Sequence, residues 1–287
     1  MTLAQPSFRT LYSQLKKLAK ANLAGDAVTD LISQMTLESH AFLRTQAEIV
    51  DLRSQVPLKQ YFSYKGQQLS RPINKELYVL DPSELQGRLT ELASGRLAHL
   101  QGVDATRTLY TIAMAFCAAN DTIKAGDKKT PATYFEIVMG HMLAVHLGVS
   151  PTNSIQVLSG DLEGNLPTDF IFDLGDKKPK FHVPIKLSTR ERVIQVWAHQ
   201  RVLDGVHGVG RYKGLLIVLT ETKLDQKTLQ VVEICLPYQW RLYQMFIAQL
   251  TRIYYLDIPA RYAELAVGYP AIEVKPFGYF FSEAERL

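Results

Sequence analysis

The sequence contains little cysteine, and its cysteines show no spacing that suggests a metal site. Its 287 residues include two cysteines, Cys117 and Cys235, each with apolar neighbours. Neither belongs to a CxxC pair or to the mixed Cys/His spacing of zinc-binding motifs. This cysteine usage is typical of a protein that stays in a reducing compartment.

The sequence also lacks a segment that would direct it to a membrane or hold it there. The first residues, MTLAQPSFRTLYSQLKK, contain no apolar stretch like the centre of a signal peptide. No uncharged apolar run reaches the roughly 18 residues that a membrane-spanning helix needs. We therefore expect a soluble, cytoplasmic protein without a membrane partner.

The excess of positive charge is small. Lysine and arginine number 32 against 28 aspartates and glutamates, which gives a formal net charge of +4. A uniformly basic surface is not expected, so any anionic partner has to meet a local cluster of positive charge. One such cluster lies between residues 176 and 192, where six basic residues accompany two acidic ones. The basic residues are Lys177, Lys178, Lys180, Lys186, Arg190 and Arg192.

Composition and apolar spacing predict a globular chain with two regions. Hydrophobic residues make up 47% and charged residues 21%, as in proteins that bury a sizeable core. Residues 1–125 show mainly helical spacing, interrupted by short extended pieces between Pro57 and Pro82. Residues 126–287 alternate between helical and extended patterns. We predict an α/β core, with a central mixed β-sheet flanked by helices, behind a mainly helical N-terminal region.

The second region has a predicted order of elements. A helix begins near Thr130, the expected N-cap, and continues to Gly148. Two or three strands follow, and after them come a helix from about Arg190 to Leu203 and two further strands. A long helix over residues 238–255 and a last strand complete the chain. The predicted strands have the sequences SIQVLSG, TDFIFDLG, FHVPIKLS, GLLIVLTET, LQVVEICL and IEVKPFGYFF.

Two of these strands, TDFIFDLG and FHVPIKLS, form a hairpin if the chain turns at residues 177–178. In that register Asp169 faces Lys186, and Asp173 faces His182. Side chains alternate between the faces of a strand, so the large apolar residues fall on one face and most polar ones on the other. We expect a buried apolar face and an open polar face on which Asp169 and Lys186 meet.

A carboxylate beside a lysine at the end of a sheet is the minimum that metal-assisted hydrolysis of a phosphodiester needs. The carboxylate binds Mg²⁺ through oxygen, and the metal polarises the phosphoryl group and lowers the pKa of a bound water. The lysine orients the attacking water or helps to deprotonate it. The alternative is an ordinary ion pair between Asp169 and Lys186 on the surface of a hairpin.

The residues around this pair resemble the PD-(D/E)XK nuclease superfamily. The segment Pro167-Thr168-Asp169, followed by Ile185 and Lys186, has the spacing and strand placement of its motif. Two positions depart from the pattern. Thr168 separates the proline from the aspartate, and Pro184 occupies the (D/E) position.

A second motif narrows the resemblance. The run KLSTRER, from Lys186 to Arg192, is similar to the Lys-x-x-x-Arg-Glu-Arg run of type II restriction endonucleases that read CC:GG-containing sites. The resemblance covers about residues 130 to 235. It implies a PD-(D/E)XK nuclease core in the second region.

The resemblance also implies a Mg²⁺ site, with Asp169 as a metal ligand and Lys186 beside the attacking water. In this branch the (D/E) position is commonly vacant, and a carboxylate thirteen or fourteen residues after the lysine replaces it. Here those positions hold His199 and Gln200, which can still bind a metal or its water. Glu136, on the helix before the sheet, is the other candidate metal ligand, unless it is only a polar position of an amphipathic helix.

Arg190, Glu191 and Arg192 are the candidates for reading base pairs. Ser188 and Thr189 can cap a helix, which places the three charges in its first turn. Arginine bonds guanine O6 and N7, and glutamate accepts from cytosine N4, so the run suits adjacent C·G pairs. The alternative is a solvated first turn of a helix. The residues predicted to contact phosphates are Lys177, Lys178 and Lys180.

The resemblance therefore predicts a type II restriction endonuclease of a bacterial or archaeal cytoplasm. It would cut double-stranded DNA at a palindrome containing CC:GG as a homodimer or larger assembly, with residues 1–125 serving dimerisation or clamping DNA. Tyr61, Phe62 and Tyr64 either contact DNA or belong to the core. Two alternatives stay open: a structure-selective resolvase or repair nuclease of the same fold, and a DNA-binding protein with an inactive nuclease core.

Overall fold

The computed structural model describes residues 7–94, 102–159, 162–175, 178–190 and 193–287. Over these ranges, from residue 129 onward, groups of strands are separated by single helices. The helices are α1 (Ser7–Ala21), α2 (Asp26–Gln46), α3 (Pro82–Ala93), α4 (Gly102–Ile123), α5 (Lys129–Leu147), α6 (Ile194–His207), α7 (Pro237–Phe246) and α8 (Phe280–Glu283). The strands are β1 (Glu48–Ser54), β2 (Tyr61–Lys65), β3 (Ile73–Asn74), β4 (Thr152–Ser159), β5 (Leu162–Phe172), β6 (Lys180–Val183), β7 (Ile185–Lys186), β8 (Tyr212–Val218), β9 (Thr222–Asp225), β10 (Gln230–Glu233), β11 (Arg252–Tyr255) and β12 (Val274–Pro276).

The central sheet is mixed. Its strand order is β12-β11-β8-β6-β5-β4, and β7 continues beside β8 after the end of β6. The hairpin partners β4, β5 and β6 run antiparallel, whereas β6, β8, β11 and β12 run parallel to one another. A second sheet, ordered β3-β2-β1-β10-β9, joins strands from both halves of the sequence.

One hydrophobic core connects the first helices with the central sheet. Helix α1 buries Phe8, Leu11, Tyr12 and Leu15, whose spacing places them on one face of a helix. These side chains belong to the same buried cluster as residues of α2, α4, α5, β5, β6 and β8. The cluster therefore crosses residue 125, where the sequence analysis divided the chain. The role of residues 1–125 in dimerisation or DNA clamping stays a prediction.

The β5/β6 hairpin carries Asp169 on its first strand. Its register pairs Ile171 with His182, two positions away from the predicted alignment. Asp173 consequently forms an ion pair with Lys180, at 2.5 Å between Oδ2 and Nζ, and does not face His182 as predicted. Because the error is an even number of residues, every side chain keeps its predicted face. The buried apolar face is confirmed by Phe170, Phe172, Phe181 and Val183, which all lie in the main core.

The second face of the hairpin is not open, contrary to the prediction. Helix α6 covers it, and Leu203 of that helix packs with Ile171 and Tyr212 in a small apolar cluster. His182 is fully buried on the same face. Solvent reaches this face at the end of the hairpin, where the side chains of Asp169 and Lys186 are 23% and 37% exposed.

The apolar run predicted as one helix over residues 238–255 is a helix followed by a strand. Helix α7 ends at Phe246, and β11 lies between β8 and β12. Ile253, Tyr254 and Tyr255 are buried completely. Branched and aromatic side chains suit a buried strand, and a short apolar run does not by its periodicity exclude a helix.

Two further element boundaries differ from the prediction. The expected N-cap Thr130 is inside α5, and its amide donates to Asp127 Oδ1 at 3.1 Å, so Asp127 satisfies this end of the helix. The predicted last strand ends at Pro276 and is followed by helical turns.

Several side chains with possible surface roles are buried. Tyr61, Phe62 and Tyr64 are at most 1% exposed, so they are core residues and not contacts for DNA. Both cysteines are buried and free. Among the described residues, no helix is long and apolar enough to cross a membrane.

The free energy of unfolding should be sensitive to substitution of Gly140, which lies where α5 crosses β5. A Cβ at this position would lie 2.5 Å from Cζ of Phe170, which is buried. We expect Gly140→Ala to lower the free energy of unfolding by about 1–3 kcal/mol, because the ring has to move within a packed core. The measurement is urea unfolding.

The matched control is Gly87→Ala in α3, where an added Cβ meets no atom within 4 Å. It should stabilise the protein by about 0.5–1 kcal/mol. Equal effects of the two substitutions would contradict the close approach of α5 to β5.

Candidate active site

Asp169 and Lys186 lie side by side at the end of the β5/β6 hairpin. Lys186 Nζ donates to Asp169 Oδ2 at 2.6 Å, and the amide of Ile185 donates to the same oxygen at 2.7 Å. Both hydrogen bonds are made to Oδ2, which leaves Oδ1 available for a ligand. The structure thus brings together the two residues on which the predicted chemistry depends.

Pro184 explains how a backbone amide reaches the Asp169 carboxylate. Strand β6 pairs with β5 only as far as Val183. Proline has no N–H for a ladder and interrupts the pairing at residue 184. Strand β7 then pairs with β8 alone, so the amide of Ile185 is free to bond Asp169. The residue that departs from the (D/E) pattern therefore helps to hold the carboxylate.

Glu136, on α5, supplies a second carboxylate close to Asp169. Both residues line a groove between α1, α5 and β5. Burial and, to a lesser extent, the negative charge of Asp169 raise the pKa of Glu136 to about 7, against the opposing effect of Lys186. Two carboxylates that repel each other in a partly buried site favour a bound cation.

These two carboxylates fit Mg²⁺ better than a metal enclosed by protein ligands. The described residues contain no group of three or more histidine, cysteine, aspartate or glutamate side chains that could hold a metal ion. Mg²⁺ usually takes one or two carboxylates and completes its shell with water and phosphate oxygens. Asp169 and Glu136 provide such a set.

His199 lies on the opposite side of Asp169, on α6. It lines a cavity of about 170 Å³ together with Asp169, Lys186 and Pro184. Burial lowers the pKa of His199, and the nearby charge of Lys186 lowers it further. Although the charge of Asp169 opposes this shift, the lowered pKa favours the neutral imidazole, in which one ring nitrogen accepts hydrogen bonds.

Gln200 does not face this cavity. Its Nε2 donates to the carbonyl of Tyr212 at 2.8 Å and to Asp204 Oδ1 at 2.9 Å. Its Oε1 lies 3.1 Å from Nδ1 of His182. Because both ends of the buried amide are occupied, Gln200 is not available as the catalytic group that the sequence suggested.

His182 is a buried residue near the site that the sequence analysis did not select. Gln200 Oε1 can only accept, so Nδ1 of His182 carries the proton and Nε2 has a free lone pair. Nε2 has no hydrogen-bond partner among the described residues. The ring centroid is 6.4 Å from that of His199. The alternation of side chains along the hairpin places His182 on the same face as Asp169. No other feature of the sequence indicates that His182 lies near the site.

Known structures share this architecture. No family model matches the sequence, and no curated protein matches it. The crystal structure of the type IIP restriction endonuclease Kpn2I has a TM-score of 0.82 and 25% sequence identity, covering 97% of this chain and 96% of that chain. The chain has the fold of a restriction endonuclease. The complex of restriction endonuclease PspGI with substrate DNA is a weaker match, with a TM-score of 0.44 and 13% identity over 71% of this chain and 91% of that chain.

In this restriction endonuclease fold, the candidate base-reading residue Arg190 is not part of the first turn of α6. Helix α6 begins at Ile194, and its N-cap is Val193, without a side-chain cap. Ser188 and Thr189 therefore do not cap α6 as predicted. Arg190 is exposed and has a positive φ of 41°, which is uncommon for a residue with a side chain. Glu191 and Arg192 lie outside the described residues.

Buried Glu221 holds the chain just before Arg190. Its Oε1 accepts from the amide and the hydroxyl of Thr189, at 2.9 and 2.6 Å, and from the hydroxyl of Tyr255 at 2.9 Å. These partners are 32 and 34 residues away from Glu221 in the sequence. No local pattern marks such a contact, so the sequence analysis missed it.

The predicted phosphate-binding lysines have different surroundings. Lys178 is exposed. Lys180 is engaged by Asp173, as described for the hairpin. Lys177 lies outside the described residues.

The stability of the metal-free protein should depend on Glu136 and on pH. Since the folded pKa of about 7 exceeds the ordinary value of 4.5, folding takes up a proton between these values and the protein loses stability as pH rises through them. Glu136→Gln should therefore stabilise the metal-free protein by about 1–2 kcal/mol at pH 8 and leave it nearly unchanged at pH 5. Thermal melting at both pH values measures the difference.

The control substitution is Glu91→Gln on α3, an exposed carboxylate. It should give the same small change at both pH values. A Glu136→Gln variant with no gain at pH 8 would contradict the crowding of Glu136 and Asp169.

Glu221 should be needed to hold the loop before Arg190. Glu221→Ala leaves two buried hydroxyls and one amide without their acceptor, so we expect a loss of about 2–4 kcal/mol in urea unfolding. Glu221→Gln keeps an acceptor oxygen and should cost less. Tyr255→Phe removes one donor only and should cost about 1 kcal/mol. If Glu221→Ala costs no more than Tyr255→Phe, the loop is not held in this way.

Proposed function

We propose that the protein is a type II restriction endonuclease that hydrolyses double-stranded DNA at a short palindrome containing CC:GG. The observation that carries the proposal is the contact of Asp169 with Lys186, with Glu136 beside them, at the sheet end of a restriction endonuclease fold. The likeness to Kpn2I extends over 97% of the chain, so it includes the N-terminal helices as well as the central sheet.

The proposed cofactor is Mg²⁺, held by Asp169 and Glu136. When bound, this ion would polarise the scissile phosphate and favour ionisation of a water. The chain itself orients Asp169 through the amide of Ile185. Lys186 places a positive charge beside the carboxylate, where it favours the negative charge that develops on the phosphate. Neutral His199 offers an acceptor nitrogen for a proton of the attacking water.

Specificity for CC:GG is proposed from the run KLSTRER. Arg190 is exposed and able to reach a guanine edge. Glu221 fixes the backbone just before it, which limits the directions that the arginine can take. Glu191 and Arg192 complete the proposed reading surface on sequence grounds.

A palindromic site calls for two copies of the active site, so we propose a homodimer. Helix α7 presents an apolar stripe to solvent, with Tyr238 and Phe246 more than 70% exposed. Leu242 and Met245 lie on the same helical face. Large exposed apolar side chains on one helix are typical of an interface, which makes α7 a better supported dimer contact than the helices before residue 125.

Of the alternatives, an inactive DNA-binding protein is less well supported, because Glu136 offers the second carboxylate that the sequence motif lacks. A structure-selective nuclease would use the same active site. The difference lies in the products, since a structure-selective enzyme leaves no sequence pattern at the cut ends.

The decisive measurement is incubation of the purified protein with plasmid DNA and Mg²⁺. We expect discrete fragments whose ends share a palindrome, and a loss of cleavage of at least about a thousandfold in Asp169→Asn and Lys186→Ala. The exposed Glu91→Gln should cut like the unaltered protein. No cutting of DNA that carries every short palindrome, or full activity of Asp169→Asn, would refute the proposal.

A further inference from the structure

A second concave surface opens on the side of Asp169 away from His199. This groove has a volume of about 700 Å³ and lies between α1, α5 and the β4/β5 pair. We call it the α1 groove. Its lining includes Glu136 and Asp169 as well as Lys16 and Lys20 on α1. The candidate metal site therefore opens directly into a surface with two lysines.

The two lysines are available for an anionic ligand. Both are exposed, and neither forms an ion pair with a carboxylate in the part of the chain that the structure describes. Lys16 Nζ lies over the ring of Tyr12, 4.7 Å from its centroid, which directs the lysine without neutralising it. The lining also contains neutral polar groups, including Asn22 and Asn153.

The spacing of the lysines suits a phosphate backbone. Residues four apart on a helix lie on one face with an axial rise of about 6 Å. Phosphates of one DNA strand rise about 3.4 Å per nucleotide, so the pair spans roughly two nucleotide steps of the strand. A small anion would contact only one of the two lysines, whereas a DNA strand that extends from the metal site would contact both.

We propose that the α1 groove binds backbone phosphates of the cleaved DNA strand beside the scissile phosphodiester, with Lys16 and Lys20 as the contacts. The inference rests on the proposed function, and it adds a binding surface outside the basic cluster of residues 176–192. Phosphate contacts carry no base information. The groove contributes affinity and alignment of the strand, and leaves the choice of site to other residues.

The test uses Lys16→Ala and Lys20→Ala, with Lys17→Ala as the matched control. Lys17 is exposed on the same helix but does not line the groove. Binding of a fluorescent duplex is measured by anisotropy between 50 and 200 mM salt, with Ca²⁺ in place of Mg²⁺. Each groove variant should weaken binding several-fold, equally for duplexes with and without the cleavage site, and lower the slope of log K against log salt by about 1.

Lys17→Ala should keep the original affinity and slope, and the melting temperatures of all three variants should match. The cut sequence should be unchanged in every variant. If Lys17→Ala lost as much DNA affinity as the groove variants, the attraction would be diffuse and the proposed role of the groove would be refuted. Unchanged DNA affinity in both groove variants would refute it as well. Either result would leave the nuclease proposal intact as long as the unaltered protein cuts the plasmid. If the unaltered protein neither bound nor cut DNA, the nuclease proposal and the groove proposal would both be refuted.

Discussion

The hydrogen bond from the amide of Ile185 to Asp169 fixes the geometry on which the active site depends. It exists because Pro184 ends the pairing of β6 with β5, which releases the next amide from the ladder. The same step turns the chain so that Lys186 reaches the same carboxylate oxygen. A backbone donor and a charged donor together hold one oxygen of Asp169 and leave the other free. If Asp169 is the metal ligand that we propose, its rigid orientation limits reorganisation during reaction.

Alternation of side chains along a strand predicted most of this arrangement. The faces of the hairpin follow from a period of two and do not depend on the length of the turn, so they survived a register error of two residues. The pairing of Asp173 with His182 did depend on the turn, and it was wrong. The second face of the hairpin was also predicted to be open, because no local feature of the sequence indicates that α6 covers it. Leu203 and Ile171 meet only after the chain has folded.

The residues that could not be predicted from the sequence act through contacts with residues far away along the chain. Glu221 holds Thr189 across 32 residues, and Gln200 holds His182 across 18. Buried polar groups need partners, but their identity depends on tertiary packing. For the same reason Gln200 looked like a replacement metal ligand at its position after Lys186, although its amide is used in the interior. Glu136, which belongs to a different helix, lies in the groove instead.

Ion pairs in the fold reduce the free positive charge of the basic cluster at residues 176–192. By sequence, the surplus positive charge of this cluster equals the net charge of the whole chain, and the cluster was predicted to be a local contact for an anionic partner. In the fold, Lys180 forms an ion pair with Asp173, and Lys186 forms one with Asp169. The cluster therefore offers less free charge than its count implies. A duplex that approaches Asp169 and Glu136 also meets two carboxylates, so its binding needs cations that are not already paired. Within the described ranges, Lys16 and Lys20 are such cations, and they line the same groove as the two carboxylates although their helix is far away in the sequence.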